Sequence, residues 1–87
     1  MDRIIIHGGP VSPVQHVYVY VNGEQVDTMG VQMDNLAEVV FALAEKHNIK
    51  AIDLAGSRFF MEGVERELRE SELIKNYSID FIAIRYV

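Results

Sequence analysis

Three histidines and one Gly-Ser-Arg turn are the parts of this 87-residue chain with the clearest capacity for chemistry. His7, His16 and His47 lie 9 and 31 residues apart, so the sequence contains neither an HxxxH nor an HxH metal pair. The chain has no cysteine, which excludes disulfides, thiolate zinc sites and thiol nucleophiles. We therefore predict no metal site and no cofactor.

The first histidine has a side chain suited to proton transfer, because imidazole titrates near neutral pH. No serine or cysteine nucleophile with a visible orienting partner accompanies His7. A hydrogen-bonded structural histidine at a strand end is therefore favoured over a general base, and no catalytic residue is assigned.

The segment Leu54-Ala-Gly-Ser-Arg58 is predicted to join a strand to a helix. Ser57 could cap that helix, and free backbone amides together with Arg58 could hold an anion. In an open α/β sheet, ligands bind beyond the carboxyl ends of the central strands. The candidate site for an anion or nucleotide therefore comprises His7, Gly8, Gly9, Gly56, Ser57 and Arg58. The alternative is that Gly56 only ends a strand and Ser57 is a plain cap.

Hydrophobic periodicity divides the chain into five strands and two helices. The strands are predicted at Asp2–His7, Val14–Val21, Glu24–Val31, Lys50–Ala55 and Ser78–Val87, and the helices at Asp34–His47 and Arg58–Glu70. The order β-β-β-α-β-α-β, with a right-handed βαβ unit at its end, predicts a mixed five-stranded sheet of order 3-2-1-4-5. Residues 1–87 then form a single α/β domain.

Local signals support these elements. Ile4-Ile5-Ile6 is typical of a central strand, and Asn22-Gly23 is the strongest two-residue signal for a type I′ hairpin turn. Asn35 with Glu38 three residues later predicts a capping box at the start of the first helix.

Composition limits the class of partner. Eight basic against 13 acidic residues give a net charge of −5, which argues against a nucleic-acid binder. A hydrophobic content of 49% and a mean hydropathy of +0.08 exclude a disordered chain. No apolar run approaches a membrane span, and no signal peptide is recognisable. We expect no membrane association, and the absence of cysteine is consistent with a cytoplasmic location.

Two sets of apolar side chains are candidate interfaces. Tyr18 and Tyr20 share one face of the second strand, where they either pack under a helix or form a partner-binding surface. The last strand is apolar on both faces and carries Ile82, Ile84 and Tyr86, which is hazardous at an uncovered sheet edge. Pairing with a second copy would cover that edge, so we expect a homo-oligomer.

The succession of elements resembles the ribonuclease H-like superfamily over the whole chain. That resemblance implies acidic residues on the central first strand that hold two divalent metals. The first strand here carries Ile4-Ile5-Ile6 instead, and only Glu38 and Asp53 could supply carboxylates. An inactive relative is therefore favoured over a nuclease.

A looser resemblance links the chain to small proteins of Gram-positive phages and mobile elements. It is carried by the segment from His16 to Glu24, by Ile52-Asp-Leu-Ala-Gly56 with its following helix, and by the closing apolar strand. It implies a phage protein that acts on a host system through protein contacts.

The sequence as a whole therefore favours a small non-enzymatic interaction protein that self-associates and binds a protein partner of unknown identity. The alternatives are binding of a nucleotide or other phosphorylated ligand at the strand-end crevice, and a degenerate ribonuclease H-like nuclease.

Overall fold

The computed structural model of the protein describes residues 2–8 and 13–85, with side chains as far as residue 82. Its strands are β1 (Arg3–Gly8), β2 (Val14–Val21), β3 (Glu24–Gln32), β4 (Ala51–Ser57) and β5 (Ser78–Arg85). Its helices are α1 (Leu36–His47) and α2 (Arg58–Arg69), with short 3-10 turns at Met33–Asn35 and Glu72–Asn76.

The strands form one mixed sheet in the order β3-β2-β1-β4-β5, which confirms the predicted α/β arrangement. β1 pairs with β2 in antiparallel and with β4 in parallel fashion, so it lies at the centre of the sheet. β3 and β5 are the two edges among the described strands.

Both helices pack against the same face of this sheet. Ile4 and Ile6 of β1 are fully buried there, directly opposite Val19 and Val17 of β2. The apolar sides of the helices complete a single core, through Leu36, Val40, Phe41, Leu43 and Ala44 of α1 and Met61, Val64 and Leu68 of α2. Since side chains alternate along a strand, the residues between these inward positions lie on the opposite face.

We call this opposite side the open face, because no described helix packs against it. Tyr18 and Tyr20 lie there and are half-buried, so packing under a helix is excluded, and the alternative of a partner-binding surface stays a prediction. The valines of β2 occupy the position under the helices instead, because they are the more apolar set of the two. The open face carries Arg3, Ile5, His7, His16, Tyr18, Tyr20, Thr28, Asp53 and Asp80.

Turn and cap residues explain where the elements end. Asn22 and Gly23 both have positive φ (55° and 82°), as a type I′ turn requires, so this predicted hairpin is confirmed. Asn48 ends α1 in the left-handed conformation. The capping box predicted at Asn35 is wrong, because Asn35 makes no side-chain cap hydrogen bond. The 3-10 turn before α1 supplies a partner for the first backbone N–H of the helix instead, since the N–H of Leu36 donates a hydrogen bond to the carbonyl oxygen of Met33.

The backbones of β1 and β4 lie close together at Gly8 and Gly56. Gly56 has a φ of 131°, and a β-carbon added to it would lie 1.9 Å from the carbonyl oxygen of Gly8. A side chain at position 56 would therefore push the two central strands apart and impose a strained backbone.

Gly56→Ala is expected to destabilise the protein by about 3 kcal/mol, because it combines backbone strain with a clash against a neighbouring strand. Chemical denaturation monitored by circular dichroism measures this loss. Gly63→Ala is the matched control: Gly63 lies in α2 with open space beside it, so alanine should stabilise by about 1 kcal/mol. Equal effects of the two substitutions would contradict this account.

Candidate functional site

The strand-end crevice predicted from the sequence contains Gly8, Gly56 and Ser57, which the sheet brings together. Gly8 is the neighbour of Gly56 in the parallel pairing of β1 and β4. Ser57 is buried and caps α2, since its Oγ accepts a hydrogen bond from the N–H of Phe60 at 3.3 Å. These residues therefore occupy structural positions at the start of α2, and their role in ligand binding stays a prediction.

The other candidate residues are not gathered at the same place. His7 is exposed on the open face, whereas Gly8 is buried on the side of the helices. Arg58 is exposed, and its Nε donates a hydrogen bond to Glu62 at 3.1 Å. Gly9 lies outside the described residues.

A buried glutamine at this crevice was missed by the sequence reasoning. Gln15 is fully buried, and neither its Oε1 nor its Nε2 has a hydrogen-bond partner in the described part of the chain. Its Oε1 and the ring of Phe60 both lie beside the α-carbon of Gly8. Gln15 shares the inward positions of β2 with Val17 and Val19, so a polar residue on an apolar stripe was the signal available in the sequence.

Two of the histidines meet on the open face. His7 and His16 are direct partners across the antiparallel pairing of β1 and β2, and both are exposed. His47 is half-buried at the end of α1.

The open face also holds a buried ion pair. Arg3 of β1 donates a hydrogen bond through Nη1 to Oδ2 of Asp53 on β4, and Asp53 is fully buried. Asp80 of β5 is the neighbour of Asp53 in the parallel pairing. Burial raises the pKa of Asp53 and Asp80 raises it further, while the charge and hydrogen bond of Arg3 oppose both. The guanidinium of Arg3 therefore offsets part of the cost of burying a charged carboxylate at this position.

The two carboxylates considered for a nuclease lie on opposite sides of the sheet. Asp53 is on the open face, whereas Glu38 lies on the exposed side of α1. Glu38 lines a groove of about 460 Å³ with Ala37, Phe41, Ala42, Glu45, Ser71, Leu73 and Tyr77. In the described ranges, no group of three or more histidine, aspartate or glutamate residues could hold a metal ion.

The predicted interface residues of the last strand that the structure describes lie on β5, at one edge of the sheet. Ile82 is 49% exposed, and its neighbour Phe81 is 41% exposed. The register of β4 with β5 passes from Leu54–Phe81 to Ala55–Ala83, so Ile82 is the extra residue of a bulge. The side chain of Ile84 and the whole of Tyr86 lie outside the description.

Arg3→Met is expected to cost about 3 kcal/mol of unfolding free energy at pH 7, because it leaves Asp53 buried without its cation. The raised folded-state pKa of Asp53 makes its ionisation cost stability as the pH rises above about 3.9, the usual value of an unfolded aspartate. The effect of Arg3→Met should therefore shrink towards pH 4. Urea denaturation at several pH values measures it.

Arg69→Met is the matched control, because it removes an exposed i,i+4 partner of Glu65 on α2. It should cost less than about 0.5 kcal/mol at every pH. An Arg3→Met effect that is the same at pH 4 and pH 7 would show that Asp53 is not the carboxylate that Arg3 stabilises.

Comparison with known proteins assigns no family to this geometry. No family model and no curated protein matches the sequence. Within the described residues, none of the helices has the length and apolar character needed to cross a membrane. The function proposed for the chain therefore rests on its own residues and on the resemblances stated from its sequence, not on a matched family.

Proposed function

We propose that this chain is a non-enzymatic protein-interaction module that self-associates through the edge formed by β5. The observation that carries the proposal is the exposure of two adjacent large apolar side chains, Phe81 and Ile82, on that strand. Large apolar side chains that are adjacent and exposed on a sheet edge favour association with another chain.

The two edges of the sheet differ in a way that favours β5. The side chains of β3 are mostly polar and exposed, with Glu24, Gln25 and Thr28 among them. Charged and polar residues protect an edge from pairing with another chain. In the sequence of β5, Asp80 stands between Ile79 and Phe81, and residues 81–84 form an apolar run before Arg85. A symmetric contact between two β5 strands would remove this apolar surface from water.

The open face beside β5 supplies a second contact surface for a protein partner. Ile5, Tyr18 and Tyr20 lie next to one another on it, each half-buried. Tyrosine is enriched among the residues that dominate binding energy at interfaces. The resemblance to phage and mobile-element proteins favours a host protein in this role, and the net charge of −5 favours a basic surface on it.

Ile82→Lys is expected to weaken self-association at least tenfold, because it places a charge in the centre of the proposed contact. Sedimentation velocity across a concentration series up to several hundred micromolar measures the dimer dissociation constant. Val26→Lys is the matched control, since Val26 is 50% exposed on the opposite edge and should leave the constant unchanged within twofold. A monomeric wild-type chain over the whole series, or equal effects of both variants, would refute the proposal.

Binding of a phosphorylated ligand at the strand-end crevice is the second candidate function. The observation that favours it is the buried carboxamide of Gln15, which lacks a partner among the described residues beside the first turn of α2. A buried amide without a partner costs about 1–3 kcal/mol, and a phosphate oxygen at the start of a helix would supply the acceptor for its N–H group.

Thermal unfolding with millimolar ADP, ATP or inorganic phosphate tests this second candidate. The ligand should raise the melting temperature of the wild type. Arg58→Ala and Gln15→Met should bind the ligand with an apparent affinity at least tenfold lower. Gln15→Met should also raise the melting temperature without ligand, because it removes the unsatisfied amide at similar volume. A response of Arg58→Ala equal to that of the wild type would remove Arg58 from the site. No response of the wild type would refute ligand binding.

A further inference from the structure

The pairing of β1 with β2 places two imidazoles side by side. His7 and His16 are direct cross-strand partners, and both are exposed on the open face. The β-carbons of such partners in an antiparallel pair lie about 4.5–5.5 Å apart. Two imidazole rings at that separation can turn one nitrogen each toward a shared point above the sheet.

The described cross-strand neighbours of this pair have the smallest side chains or none. His16 is flanked on β3 by Gly30, and His7 is flanked on β4 by Ala55. The row across the sheet therefore reads Gly30, His16, His7, Ala55, with two large polar side chains between two minimal ones. The next row toward the Asn22-Gly23 turn reads Thr28, Tyr18, Ile5 and Asp53 and carries bulkier groups.

We propose that His7 and His16 bind one divalent transition-metal ion of the Zn²⁺, Ni²⁺ or Cu²⁺ class through their ring nitrogens. Neutral imidazole is a preferred ligand of these ions, whereas Mg²⁺ and Ca²⁺ prefer oxygen ligands. The described residues supply no group of three histidine and carboxylate ligands. The ion is therefore held by two side chains, and water fills its remaining coordination positions.

This metal site is independent of the proposed self-association, because both ligands come from one chain. It is also distinct from a two-metal nuclease centre, which would be built from carboxylates and would take Mg²⁺. Selectivity between the two groups of ions therefore separates the proposal from residual nuclease character.

Isothermal titration of the untagged full-length chain with NiCl₂, ZnCl₂ and CuCl₂ tests the proposal. The wild type should bind one ion per chain, with affinity in the order Cu²⁺ above Ni²⁺ and Zn²⁺. His7→Asn and His16→Asn should each weaken binding at least tenfold. His47→Asn, which alters the third histidine at the end of α1, should leave the affinity unchanged within twofold.

Two spectroscopic readouts identify the ligands directly. Electron paramagnetic resonance of the Cu²⁺ form should show nitrogen coordination that disappears in the double variant His7→Asn/His16→Asn. Nuclear magnetic resonance should show the ring protons of His7 and His16 shifting together on addition of Zn²⁺, while those of His47 stay in place. Because both histidines are exposed, circular dichroism of the variants should match the wild type.

The proposal is overturned if the wild type binds none of Ni²⁺, Zn²⁺ and Cu²⁺ at millimolar metal, or if the double variant binds as well as the wild type. It is also overturned if His47→Asn loses as much metal affinity as His7→Asn and His16→Asn, or if the wild type prefers Mg²⁺ or Ca²⁺. Sedimentation velocity with and without Zn²⁺ distinguishes failure of this proposal from failure of the proposed self-association. A chain that stays monomeric but binds the ion would support the metal site and refute only the self-association.

Discussion

Both helices of this protein lie on one face of its sheet, and the other properties of the molecule follow from that arrangement. Two helices of 12 residues each cover the inward side chains of the central strands completely. The described part of the chain contains no helix for the other side. The open face is therefore a surface of half-buried aromatic, aliphatic and ionisable side chains rather than a second core, and the candidate interface and metal residues lie on it or at its edge.

Two of the polar side chains that the fold buries lower its stability. Gln15 and Asp53 are fully enclosed, one under the helices and one on the open face. A carboxamide with no partner among the described residues and a carboxylate whose described partner is one guanidinium each lower stability relative to an apolar residue of similar size. Departures of this kind from an otherwise consistent sequence are expected where a site binds something. Arg3 and Asp53 also connect β1 to β4, so the ion pair adds a side-chain contact to the backbone pairing of these two neighbouring strands.

Much of the fold could be predicted from the sequence because its signals are local. The run Ile4-Ile5-Ile6 and the Asn22-Gly23 turn predict the central strand and the hairpin, and chirality rules then determine the order of the strands. The sequence left the position of the tyrosines open, because either face of an alternating strand can be the buried one when both sets of side chains are apolar. Tyr18 and Val19 have similar β-propensity, so the packing of the helices, and not local preference, determines which of the two side chains is buried.

The pairing of His7 with His16 could not be predicted in the same way. The hairpin turn fixes the register of β2 with β3, but residues 9–13 join β1 to β2 by a longer connection whose length leaves several registers open. Spacing rules for metal sites describe ligands on one helix or one strand, so two histidines nine residues apart on neighbouring strands escape them. Gln15 could have been noticed in the sequence, since it is the polar residue among the inward positions of β2, which are otherwise valines.

The junction of β4 and α2 joins a strand to a helix with no residue between them, since β4 ends at Ser57 and α2 begins at Arg58. One residue inserted after Ser57 would rotate the helix by roughly 100° about its axis. That rotation would carry Met61, Val64 and Leu68 away from the core and separate the cap from its helix. The junction of β4 and α2 therefore cannot change in length without disrupting the core. Insertions and deletions have to be accommodated at the hairpin turn or in the connections at either end of the sheet.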